Sequence, residues 1–122
     1  MREIYTDKTI YELFYDSVKK FGARDCLAES EFSKSDGNSK PTFNYYSYTT
    51  IDEQIKSIAC YFLSLGLKIH DEGENVKIGL WMSTSFCMRL IMMVCHKLGY
   101  VVVPVYDAMG VKEVANVFEL SD

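Results

Sequence analysis

Residues 76–105 confine this chain to a narrow set of folds. Val76 to Met82 is an extended apolar run, Phe86 to Leu98 has helical length, and Tyr100 to Val105 is a second, β-branched run. Ser83-Thr84-Ser85 supplies hydroxyls suited to capping the helix, and Gly99 sits where it would end. Strand, helix and strand within about 30 residues make a βαβ unit, with parallel strands and a right-handed crossover. The polar side of the helix is only a thin stripe of Arg89, His96 and Lys97. A helix apolar over most of its circumference is normally enclosed, and a parallel sheet needs cover on both faces. The pattern therefore predicts an α/β fold that is incomplete, a part of a larger domain. A compact free-standing α/β domain accounts for it less well.

The flanking segments are also legible. Thr9 and Glu12 have capping-box spacing, and Ile10, Leu13, Phe14, Val18 and Phe21 recur at helical intervals before Gly22. This predicts an amphipathic helix over 9–21, with Gly22 as its stop. Residues 26–32 and 42–46 are extended candidates separated by a polar cluster centred on Asp36-Gly37. They predict a β-hairpin with an exposed, flexible tip at about 33–41. Thr50 and Glu53 repeat the capping-box spacing, and Ile51, Ile55, Ile58, Ala59, Phe62 and Leu63 hold one helical face until Gly66. A polar link through His70-Asp71-Glu72-Gly73-Glu74 leads to the βαβ unit. Beyond it, Gly110 opens a last amphipathic segment with Val111, Val114, Ala115 and Phe118 on one face. The whole of 1–122 reads as one partial domain without internal repeats.

Composition excludes several classes of function. A net charge of −4, with Lys19-Lys20 the only basic pair, gives no electrostatic footprint for nucleic acid or an anionic membrane. Cys26, Cys60, Cys87 and Cys95 form no Cys-x-x-Cys pair, and His70 and His96 stand at no zinc-type spacing from them. Reduced, largely buried thiols are expected, with no metal site. The first twenty residues carry charges throughout, so no secretory signal is visible. The longest nearly apolar window, Phe86 to Cys95, contains Arg89 and is too short to span a bilayer. A cytoplasmic protein, at most peripheral on a membrane, is expected.

No catalytic constellation can be drawn. Ser83-Thr84-Ser85 lacks the glycines that let a backbone wrap a phosphate, so helix capping is the stronger account. Met88, Met92, Met93 and Trp81 read as core filling. Tyr106 and Asp107 are the best candidates for substrate binding. They follow a parallel strand, at the end where open α/β sheets place ligands. The competing account is turn chemistry, with Asp107 bonding to backbone, Tyr106 packing and Gly110 relieving strain.

Several stretches, in order, resemble the N-terminal region of long-chain fatty-acid–CoA ligases of the adenylate-forming superfamily. They are Thr9-Ile10-Tyr11-Glu12-Leu13-Phe14 with Lys20-Phe21-Gly22, Ala23-Arg24-Asp25-Cys26-Leu27, and Tyr46-Ser47-Tyr48 running into the helix that ends at Leu65-Gly66-Leu67. Val76-Lys77-Ile78-Gly79-Leu80 follows, and then Val103-Pro104-Val105-Tyr106-Asp107-Ala108-Met109-Gly110. The chain departs from the family at Ser83-Thr84-Ser85-Phe86 and at Ala108-Met109. The resemblance implies an enzyme several times longer, which joins fatty acid to coenzyme A through an acyl-adenylate, using ATP and Mg²⁺. It implies that the phosphate-binding loop and catalytic lysine lie outside this sequence, so no catalytic or cofactor-binding residue is expected here. Its partners would be the fatty acid and the remainder of the enzyme chain, with self-association into a homo-oligomer if the 86–98 helix lacks its cover. A free-standing interaction module, a short-chain CoA ligase and a peptide-synthetase adenylation domain are the alternatives.

Overall fold

The computed structural model describes residues 7–31, 41–69 and 76–121. Most of the expected hairpin tip and the polar link around His70 lie outside the described residues.

Helix α1, Ile10–Phe21, starts with the capping box its sequence predicts. The Thr9 hydroxyl accepts from the Glu12 amide at 3.2 Å, and the Glu12 carboxylate accepts from the Thr9 amide at 2.7 Å. Gly22 ends the helix for a different reason than expected. Its backbone is right-handed (φ −38°), whereas a left-handed glycine cap needs positive φ. Space is what matters: a Cβ there would lie 2.8 Å from Thr49 Oγ1 and 3.1 Å from the Val18 carbonyl.

Strands β1 (Asp25–Glu31) and β2 (Thr42–Ser47) form the expected antiparallel hairpin, with Ala28 opposite Tyr45 and Ser30 opposite Phe43. β2 runs directly into helix α2, Tyr48–Ser64, without a linker. The cap is therefore Ser47, not Thr50. The Ser47 hydroxyl accepts from the Thr50 amide at 3.2 Å and shares a 3.0 Å hydrogen bond with the Thr50 hydroxyl. Gly66 follows in the left-handed conformation, φ 87°.

The βαβ unit is present as β3 (Lys77–Trp81), α3 (Phe86–Leu98) and β4 (Val101–Val105). β3 and β4 are parallel, with Ile78 beside Val102 and Trp81 beside Val105. Ser85 caps α3 by accepting from the Met88 amide, and Gly99 closes it in the left-handed region, φ 74°. Helix α4, Val111–Leu120, follows Gly110.

The core is the seam between α2 and α3. Ile51, Ile55 and Ala59 meet Leu90, Val94, Cys95 and Leu98, with Tyr100 at the end of the cluster. Tyr11 and Phe14 of α1, Leu27 and Tyr46 of the hairpin, and Ile78 and Val102 of the parallel pair lean on it half-buried. The expected enclosure of α3 holds along this stripe only. Cys87 and Arg89 are exposed and Met88, Met92 and Met93 are half-buried. Leu63, counted on the buried face of α2, is 38% exposed.

Trp81 corrects another expectation. It is 46% exposed rather than core, because its side of the strand alternates away from Ile78 and Leu80. Among the described residues, α4 supplies cover on that second face. A Cβ at Gly79 would stand 2.3 Å from Phe118 Cε1, so the absence of a side chain is what seats the ring on the sheet. Gly79→Ala should unseat α4 and lower stability by about 1–3 kcal/mol in urea unfolding. Combining it with Phe118→Ala should cost less than the sum of the two. A loss below about 0.5 kcal/mol for Gly79→Ala would contradict this packing.

Candidate functional site

The carboxyl ends of β3 and β4 bring together two loops. One carries Ser83 and the cap Ser85, and the other carries Tyr106 and Asp107. The Ser83 hydroxyl donates to the Asp107 carboxylate across the two loops. Asp107 is therefore held by a side chain 24 residues away rather than by its own turn, which corrects the backbone-bonding expectation. The turn is closed separately, by the Met109 amide donating to the Tyr106 carbonyl at 3.1 Å. Tyr106 does not pack: it is 81% exposed. Gly110 caps α4, and its amide donates to the Glu113 carboxylate.

A triphosphate does not fit this edge. The hydroxyls of Ser83 and Ser85 are engaged with Asp107 and the Met88 amide. The Asp107 carboxylate repels anions, and no glycine lies in residues 82–85. What the edge offers chemically is one exposed phenol and one hydrogen-bonded carboxylate.

The most strongly constrained polar group lies elsewhere, on α2. Asp52 is 3% exposed. It accepts from the Tyr11 hydroxyl at 2.8 Å and from Lys56 Nζ at 2.6 Å. Lys97 Nζ of α3 sits 4.1 Å from the Tyr11 ring centroid. One cluster thus ties α1, α2 and α3. Burial, and then the bond to Asp52, push the Tyr11 phenol far above the usual tyrosine range, while the same carboxylate raises Lys56. A phenol held protonated and a paired lysine make neither nucleophile nor base, so this is a structural latch. Sequence reasoning missed it because Asp52 falls inside an apparent cap. The available signal was Lys56 one turn along, at i+4.

Other polar groups fail to converge. A cleft of about 480 Å³ between β1 and the start of α3 is lined by Glu29, Ser30, Phe86 and Arg89 among others. Its lining carries one carboxylate and one guanidinium, both exposed. Among the described residues, no three His, Cys, Asp or Glu side chains gather as a group that could hold a metal ion. No helix there is long and apolar enough to cross a membrane.

The cysteines are free, but not largely buried as expected. Cys60 and Cys87 are exposed, Cys26 is intermediate and Cys95 alone is buried. Burial raises Cys26 and pushes the Cys95 thiol up to about 11. The unfolded Cys95 thiol ionises first, so its contribution to stability is intact below pH 9.0 and is lost as pH rises toward about 11. Cys95→Ala should flatten that alkaline loss in pH-dependent unfolding. In native protein, iodoacetamide should modify Cys60 and Cys87 quickly and Cys95 only on unfolding. Fast native labelling of Cys95 would contradict the packing of the seam.

Comparison with known proteins follows the same outline. A family model described as AMP-binding enzyme matches residues 15–122. Fatty acyl-CoA synthetase B of Dictyostelium discoideum is 30% identical over 117 residues, which cover 96% of this chain and 16% of that protein. Among solved structures, the N-terminal subdomain of NpsA from Klebsiella oxytoca, in complex with anthranilyl-AMSN, superposes with a TM-score of 0.74 at 18% identity. That match covers 98% of this chain and 26% of the other. IdnL1 superposes with a TM-score of 0.70 at 22% identity, over 91% of this chain and 20% of the other. At these identities the solved structures establish the shared fold, and this chain spans 16% of the length of its curated relative.

Proposed function

This chain belongs to the AMP-binding enzyme family, and on that premise we propose that it builds the N-terminal part of a long-chain fatty acyl-CoA synthetase. The observation that carries the reading is 30% identity to a fatty acyl-CoA synthetase across 96% of the chain. The complete enzyme would take a fatty acid, ATP and coenzyme A to acyl-CoA, AMP and pyrophosphate through an acyl-adenylate, with Mg²⁺ on the nucleotide. The long-chain preference rests on the resemblance through Tyr106-Asp107 and the N-terminal lead.

In this reading the chain is scaffold. Its polar groups are engaged with one another, at Ser83–Asp107 and at Tyr11–Asp52–Lys56. Nucleotide and acyl contacts come from the remainder of the enzyme, which is its principal partner. Tyr106 and Asp107 serve the turn and the surface beside it, and substrate contact by either is secondary. The enzyme works in the cytoplasm or peripherally on a membrane, and self-association would use apolar surface left uncovered here.

Two measurements test the reading. Purified 122-residue chain given ATP, palmitate, Mg²⁺ and coenzyme A should form no acyl-CoA. Formation above a no-protein control would overturn the scaffold role. The transcript should continue past Asp122 into a Ser/Thr/Gly-rich loop followed by lysine. A stop codon directly after Asp122 would favour a free-standing interaction module instead.

A further inference from the structure

We draw no further inference here: the strongest candidate, the cleft of about 480 Å³ between β1 and the start of α3, carries nothing, because its Glu29 and Arg89 select no single charge and nothing in the structure shows what covers it.

Discussion

The apolar seam between α2 and α3 is the contact on which the rest of the chain depends. Ile55, Val94 and Cys95 are fully shielded from solvent there, and Ile51 is nearly so. No residue of α1 is fully buried, and neither is any described residue of the hairpin. Both are held by leaning on the seam. The Tyr11–Asp52–Lys56 cluster adds direction to that contact. Lys56 pairs one oxygen of the buried Asp52 carboxylate and the Tyr11 phenol donates to the other, which ties α1 to α2. The seam supplies the burial and the carboxylate sets the register.

The same seam fits the proposed reading of this segment as scaffold. It braces one face of β3 and β4 through Ile78 and Val102. At their carboxyl ends Ser83 bonds to Asp107, and Tyr106 and Trp81 stand exposed. A family member that activates carboxylates with ATP needs a cradle of backbone amides and a cation for phosphate. No lysine or arginine lies in residues 81–86 or 105–111 at this edge. On the proposed reading the phosphate chemistry comes from other parts of the enzyme, and this stretch belongs to the family as scaffold.

Much of this was legible in the sequence. α3 runs from Phe86 to Leu98, as its apolar run and its flanking serine and glycine require, because both signals are local. The parallel pairing followed from connection length. What sequence could not show were outcomes decided by distant partners. Ser47 displaced Thr50 as the cap of α2 because β2 enters the helix directly. Trp81 is exposed because it lies on the strand face opposite Ile78 and Leu80, away from the seam. Asp107 bonds to Ser83, a residue remote in sequence that no turn rule indicates. Gly22 and Gly79 looked like a stop and a family signature, yet both answer to close approaches by side chains from other helices.

The central claim is that the Tyr106–Asp107 edge holds structure and leaves the chemistry to other parts of the enzyme. ATP–pyrophosphate exchange by the complete polypeptide carrying Asp107→Asn tests it most directly, with thermal melting measured on the same protein. The account predicts exchange within about threefold of the unsubstituted enzyme, well below the melting temperature, with any loss confined to stability. A fall of about a hundredfold or more at unchanged melting temperature would place Asp107 in the reaction and contradict the account.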